Sequence, residues 1–311
     1  MNRHDAPRQD ARPEDAGQRN DGQHDDGQHG GASLHWSPSP LLYVSAAVHL
    51  GAAAAALSRP RVWPWALGAV AANHLALAAA GLWPRSQLLG PNWTRLPKHG
   101  GVSGSVTGVS GSVAITIDDG PDPDVTPRVL AQLAQHRVRA TFFCVGARVE
   151  RYPDLAREIM SRGHDIENHS QTHRHNFSLM GPSGMRAEIS RAQDSILKVT
   201  GSSPRFFRAP AGLRNPFLDP ILARLQLRLA SWTRRGFDTV NANADAVYRR
   251  LANPLQDGDI LLLHDGNAAR NRAGNPVILE VLPRLLDTLA GKQLQPVTLR
   301  SAIPAADRNS S

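Results

Sequence analysis

Two long stretches without a charged side chain constrain this chain more than anything else in it. Residues 41–57 and 62–83 supply 17 and 22 uncharged positions, and only Ser58, Arg59, Pro60 and Arg61 separate them. A helix crosses the hydrocarbon core of a bilayer in roughly 17–25 residues, so the pattern predicts a transmembrane helical hairpin. Trp63, Trp65 and Trp83 fall near the ends of the second stretch, where indoles prefer the interface. Asn73 and His74 fall near its centre, which is tolerable only if they face the partner helix. The alternative is a buried Ala-rich helical pair in a soluble protein. A cleaved signal peptide fits poorly, because no basic segment adjoins Leu41 and a second apolar stretch follows the first. Arg59 and Arg61 occupy the tight connection, and no Lys or Arg lies between Asn20 and Leu41. The positive-inside tendency puts that connection in the cytoplasm and both termini outside, although Arg85, Arg95 and Lys98 pull the other way.

The flanking segments divide by composition. Residues 1–38 are rich in Asp, Gln, His and Gly, with the near-repeat DGQHDDGQHG, and offer almost nothing apolar to bury. They read as a disordered tail whose histidines lack any fixed coordination geometry. The two helices and their ends occupy 39–85. Residues 86–111 mix Pro, Gly, basic residues and Trp93 before a Gly/Ser-rich run, and read as an interfacial collar or a strap packed on the domain, then a linker. Residues 112–303 form the expected folded domain, with a flexible end at 304–311. A single cysteine, Cys144, excludes an intrachain disulfide and reads as a small buried hydrophobe within ATFFCVG. The net charge of +8 is spread over scattered arginines, with no zinc-finger spacing or basic helix repeat, so nucleic acid is not an expected partner.

Within the domain, VAITIDDGPD at 113–122 is a short apolar run that ends in two carboxylates and Gly-Pro. It predicts a buried strand that stops at a turn, with Asp118 and Asp119 at its C-terminal edge and pointing to opposite sides. HSQTH spaces His169 and His173 four apart, which on a helical turn puts both imidazoles on one face. One carboxylate and two histidines make an ordinary three-ligand set for a catalytic divalent metal, leaving the other carboxylate to handle protons. From 113 onward strands and helices alternate. Helices are predicted over 125–136, 152–162, 183–200, 218–227, 241–251 and 277–290, with strands over 140–145, 164–166 and 259–264 and at PRFFRAP and LASW. This order predicts parallel strands backed by helices, with the motifs at strand C-terminal ends.

These motifs carry a resemblance. TIDDGPDPDVTPRVLAQLAQHRVRATFFCVG, GHDIENHSQTHRH, FRAPAG, SWTRRGFD and DILLLHD follow one another in the order of the polysaccharide deacetylase family, the NodB-homology or family-4 carbohydrate esterases. The resemblance spans about 112–300 and implies a distorted barrel of seven β/α units, often incompletely closed. It implies that Asp119, His169 and His173 hold a divalent ion, usually zinc, that Asp118 is the general base, and that His264 is the acid protonating the departing sugar amine. Arg208 matches the arginine paired with the base, and Asp238 the aspartate that orients the catalytic histidine. Pro210 and Ala211, with Trp232 and Leu262, match the substrate pocket.

The implied reaction is metal-dependent hydrolysis of the N-acetyl amide of N-acetylated amino sugars in a polysaccharide or oligosaccharide, releasing acetate. Deacetylation or deformylation of a lipid-linked amino sugar, and a non-catalytic glycan-binding scaffold on the same barrel, are the alternatives. The expected partners are a glycan and the lipid bilayer, in a bacterial inner (cell) membrane with the domain periplasmic or otherwise extracytoplasmic. Two departures stand out. Ala211 replaces the aromatic residue that usually follows the motif proline, and Thr239 stands where a tryptophan commonly follows the aspartate. Both remove aromatic surface without touching the metal or proton-transfer residues.

Overall fold

The computed structural model describes residues 34–97 and 111–304. The His-rich tract, the Gly/Ser-rich stretch at 101–110 and the C-terminal residues 305–311 lie outside the described residues.

Both apolar stretches are helical, as α1 (Pro40–Ser58) and α2 (Trp63–Leu82), joined through one tight turn at Pro60–Val62. The two helices pack on each other through their polar positions. Asn73 Nδ2 donates to Ser45 Oγ at 2.8 Å, and the rings of His49 and His74 lie 5.1 Å apart. Ser45 on α1 and Asn73, Ala80 and Gly81 on α2 are the buried residues, while Leu50, Leu57, Leu67 and Leu75 are exposed. A helical pair in water would bury those leucines, so this inverted distribution speaks against the soluble alternative and is consistent with a hairpin facing lipid.

Downstream the chain alternates through β1 (Gly111–Asp118), α3 (Thr126–Gln135), β2 (Thr141–Cys144), α4 (Gly146–Arg151), α5 (Pro153–Ser161), β3 (Asp165–Asn168), α6 (Pro182–Thr200), β4 (Phe206–Phe207), α7 (Leu218–Arg224), β5 (Arg228–Leu229), β6 (Arg234–Arg235), α8 (Ala244–Ala252), β7 (Ile260–His264), α9 (Ile278–Gly291) and β8 (Leu294–Val297). The strands pair in parallel in the order β5-β4-β3-β2-β1-β7-β6, and β8 joins the first half of β1. The path does not close on itself, and this is the distorted, incomplete barrel expected. β6 and β8 escape sequence reading because Arg-Arg and Leu-Gln-Pro-Val carry no apolar run; α4 hides in the short connection between β2 and α5.

Period-two alternation sorts the side chains of β1 and β7. Val113, Ile115 and Ile117, with Leu261 and Leu263, join the core beneath the helices, where Val129, Leu133, Leu282 and Leu285 meet them. The opposite face points into the barrel, where Ala114, Ile260 and Leu262 pack with Phe143, Phe206 and Trp232. Cys144 is fully buried in the outer core, and burial pushes its thiol well above the ordinary range.

The seam between β5 and β6 is filled by the collar. Trp93 pairs with Ala230 and Arg95 with Asp259, and Leu96 N–H donates to the Gly258 carbonyl at 2.8 Å. Of the two readings of this segment, the strap packed on the domain is the one observed. Backbone groups left open at the sheet edge are thereby paired.

Candidate active site

β1 and β7 stand side by side with Asp118 in register with His264 and Thr116 with Leu262. The inward face that carries Thr116 therefore delivers Asp118 to the barrel mouth. The chain then turns at Asp119, whose φ of 76° is left-handed. This bend brings Asp119 into the same cleft as Asp118, so the opposite-sides expectation from strand alternation does not hold. HSQTH is likewise not a helical turn. His169 follows β3, Ser170 and His173 are left-handed with φ of 64° and 49°, and the resulting loop brings the two imidazoles to 4.8 Å between centroids.

One cleft of about 490 Å³ at the strand C-termini is lined by Asp118, Asp119, His169, His173, Trp232 and His264, among others. Ligand-competent atoms of Asp119, His169 and His173 all lie within 4.8 Å of one another. His169 Nε2 is 3.3 Å and His173 Nε2 3.2 Å from Asp119 Oδ1. That oxygen is buried and has no hydrogen-bond partner, whereas Oδ2 accepts from Asn267 Nδ2 at 2.7 Å. An unsatisfied carboxylate oxygen facing two imidazole nitrogens is costly without a cation, so these residues fit a divalent metal.

The protonation states agree. Burial alone would raise the Asp119 pKa, but the adjoining imidazoles, His169 foremost and then His264 and His173, hold it well below the usual carboxylate range. Burial and the neighbouring His169 lower His173 to about 4, against the opposing pull of Asp119 and Asp118, so its imidazole is neutral and ligand-ready. His169 Nδ1–H donates to the Arg208 carbonyl at 2.8 Å, which leaves Nε2 with its lone pair.

Arg208 is fully buried behind the cleft. Its Nη1 donates to Asp118 Oδ1 at 2.6 Å and to Thr116 Oγ1 at 2.8 Å, Nη2 donates to the Ser231 carbonyl at 2.7 Å, and the guanidinium stacks 4.0 Å from the Phe143 ring centroid. Asp118 Oδ2 faces the metal cluster, 3.8 Å from His169 Nε2. On the other flank, Asp238 grips His264 twice, accepting from its backbone N–H at 2.7 Å and from Nδ1 at 2.8 Å. Burial would lower the His264 pKa, but the Asp238 carboxylate, with Asp118 and Asp119, raises it to about 9. At neutral pH it is an imidazolium with Nε2 free to donate.

Ala211, Trp232 and Leu262 line the cleft, whereas Pro210 is buried behind a wall made by Ala209, Ala211 and Gly212. Three further residues bear on the site without an obvious sequence signal. Asn267 and His175 line the cleft, the latter with its ring 6.1 Å from that of His173. Asp265 is fully buried under the DDGP turn, where it accepts a short hydrogen bond from Thr126 Oγ1, and burial, against that bond, raises its pKa to about 7. The DILLLHD run places Asp265 next to His264, but nothing in it announces the partner 139 residues away.

The polysaccharide deacetylase family model matches residues 106–230. A peptidoglycan-N-acetylglucosamine deacetylase of Bacillus cereus is 34% identical over 175 residues, covering 56% of this chain and 81% of that protein. A chitooligosaccharide deacetylase of Bradyrhizobium sp. is 35% identical over 164 residues, covering 52% and 74%. Among solved structures, a family 4 carbohydrate esterase from Streptomyces lividans in complex with acetate is 34% identical, covers 60% of this chain and 92% of that one, and superposes with a TM-score of 0.55. Peptidoglycan deacetylase PdaC from Bacillus subtilis is 27% identical, with coverage of 62% and 89% and a TM-score of 0.54. With motif order, barrel and metal-ligand geometry in agreement, the chain belongs to the polysaccharide deacetylase family.

Proposed function

We propose that this chain is a membrane-anchored, zinc-dependent N-deacetylase that hydrolyses the N-acetyl amide of amino sugars in a glycan and releases acetate. The observation that carries this reading is the convergence of Asp119, His169 and His173 on one point, flanked by an arginine-paired carboxylate and an aspartate-paired imidazolium. The named substrates of the relatives, peptidoglycan N-acetylglucosamine and chitooligosaccharide, support an amino-sugar acetamide as the bond cleaved. Two nitrogen donors and one carboxylate favour zinc over magnesium or calcium.

A divalent ion held by Asp119, His169 and His173 supplies Lewis acidity, lowering the pKa of water and offsetting negative charge on the acetyl oxygen. The remaining work falls to side chains. Asp118, with Oδ1 committed to Arg208, uses Oδ2 to accept a proton from the attacking water. As the water oxygen bonds to the acetyl carbon, the carbonyl electron pair moves to oxygen, and the Ala211 N–H is assigned as a donor to it. His264, with Nδ1 committed to Asp238, protonates the sugar nitrogen through Nε2, so the C–N bond breaks to release a neutral amine. Trp232 and Leu262 enclose the acetyl methyl.

In this reading α1 and α2 anchor the protein, 84–97 is the collar, and 111–303 is the catalytic unit, on the extracytoplasmic side. The test is acetate release from N-acetylglucosamine oligomers by the full-length protein in detergent, after chelator treatment and again after zinc is restored. Release that returns with zinc supports the reading; release indifferent to metal, or none from any amino-sugar acetamide, sinks it.

A further inference from the structure

The cleft and the apolar hairpin are not joined by a free tether. α2 ends at Leu82, and the segment immediately after it is built into the cleft wall. Arg214 N–H donates to the Gly81 carbonyl at 3.1 Å, and Arg214 Nη2 donates to the Ser86 carbonyl at 2.5 Å. Ser231 Oγ donates to the Pro84 carbonyl at 2.7 Å, and Arg85 Nη1 donates to the Thr233 carbonyl at 3.1 Å. A Cβ on cleft-lining Gly212 would sit 2.7 Å from Pro84 Cβ and 2.5 Å from the Trp232 ring, so the collar, the Gly212 wall and the Trp232 wall are in direct contact. The segment before α1 docks as well, since Leu34 N–H donates to Gln226 Oε1 at 2.7 Å. Two attachments, one from each end of the hairpin, fix the barrel relative to α1 and α2.

The attachment that follows α2 is on the side that carries the chemistry. Loops 209–214 and 230–233 follow β4 and β5 at their C-terminal ends, where the cleft lies. Around the junction Leu82 and Trp83 at the end of α2, Leu88 on the collar and Phe217 on the adjoining barrel loop are exposed. An exposed apolar and indole rim at the end of a span suits the interfacial zone of a bilayer. The cleft wall also carries an uncompensated cation. Arg235 lines the cleft, its guanidinium lies 5.3 Å from the Trp232 ring centroid and 4.9 Å from that of Phe237, and its Nε is buried without a hydrogen-bond partner. No carboxylate pairs with it among the described residues. A guanidinium flanked by two aromatic rings on a pocket wall is suited to a phosphate oxygen.

We propose that the cleft opens at the membrane surface and takes its amino sugar from a glycan still joined through phosphate to a lipid carrier in the same bilayer, with Arg235 receiving the phosphate. This rests on the deacetylase and membrane-anchor readings and goes beyond them by naming the form in which the glycan arrives. Rigid attachment holds the reacting groups at one height above the bilayer, and confinement of enzyme and substrate to one surface raises their effective concentration. Soluble oligosaccharides gain nothing from either feature.

The test uses the full-length chain, loaded with zinc and reconstituted in phospholipid vesicles, with acetate release as the readout. One probe is N-acetylglucosaminyl phosphate on a long polyprenol, placed either in the enzyme's own vesicles or in separate ones; the other is soluble chitotetraose. The expected result is a kcat/KM at least about tenfold higher for the polyprenyl probe than for chitotetraose, seen only when probe and enzyme share a vesicle. Arg235→Ala should narrow that preference about tenfold, the worth of one charge-assisted hydrogen bond, with Arg235→Lys intermediate. Equal or better hydrolysis of chitotetraose, equal rates from shared and separate vesicles, or an Arg235→Ala effect identical on both probes would each overturn the proposal while leaving a deacetylase. Absence of acetate from every probe would overturn the underlying reading too, and extraction of the protein from vesicles by alkaline carbonate would remove the anchor on which both depend.

Discussion

Asp118 and His264 are direct neighbours across two parallel strands, paired in register, and the Asp265 N–H donates to the Asp118 carbonyl at 3.2 Å. The proposed proton acceptor and proton donor thus sit on one hydrogen-bonded surface rather than on loops. Each has its other polar atom committed to a buried partner, Arg208 on one side and Asp238 on the other. The metal-ligand residues differ, because His169 and His173 reach the cleft on a loop with left-handed residues.

The adjacent aspartates should separate by metal content. Asp119→Asn replaces the carboxylate that faces both imidazoles, and the purified protein should lose bound zinc. Asp118→Asn should keep zinc and lose about 10²- to 10⁴-fold in kcat/KM. Elemental analysis beside acetate-release kinetics decides it, and equal loss of metal in both variants would refute the division of labour.

The pH profile should report the His264–Asp238 pair. His264 acts while protonated, and its pKa of about 9 places the loss of activity on the alkaline side. Asp238→Asn removes the carboxylate that raises that pKa, so the alkaline limb should move toward neutral pH. The sign follows from the proton: a less favoured imidazolium deprotonates at lower pH. A limb that stays in place in Asp238→Asn would show that another group sets it.

Asn267→Ala should weaken metal binding without removing a ligand. Its amide occupies Asp119 Oδ2 and leaves Oδ1 for the ion. Loss of such an orienting partner typically costs 10- to 100-fold in metal affinity, and competition with a zinc chelator measures it directly. Unchanged affinity would reduce Asn267 to a bystander.

Arg208→Met should cost stability as well as activity. The change leaves Asp118 buried without its cation and strips donors from Thr116 and the Ala230 and Ser231 carbonyls. Removing one partner of a buried pair costs about 3–5 kcal/mol, or roughly 10 °C in Tm for a domain of this size. A melting temperature within a degree or two of wild type would show that water or a neighbour replaces the guanidinium.

Topology reporters fused before residue 41 and after residue 112 should report the same side of the membrane, outside the cytoplasm. Opposite sides would eliminate the hairpin.

The sequence by itself determined what depends on short-range order. Charge-free length predicted α1 and α2, apolar runs predicted β1 and β7, and motif spacing brought Asp118, Asp119, His169 and His173 forward as one constellation, to which the family resemblance added His264. Local patterns carry such information because a strand's facing and a helix's length are set by neighbours in the chain. What tertiary structure decided was everything governed by a single residue's backbone or by a distant partner. Asp119 enters the cleft beside Asp118 only because it adopts left-handed φ, which no periodicity rule foresees. Asn267 is an ordinary polar residue until the fold carries it to Asp119, 148 positions away. The same holds for the collar: a Pro- and Gly-bearing stretch reads equally as an interfacial collar or as a strap, and only the open seam between β5 and β6, with its unpaired backbone groups, makes it a strap that ties the cleft wall to α2.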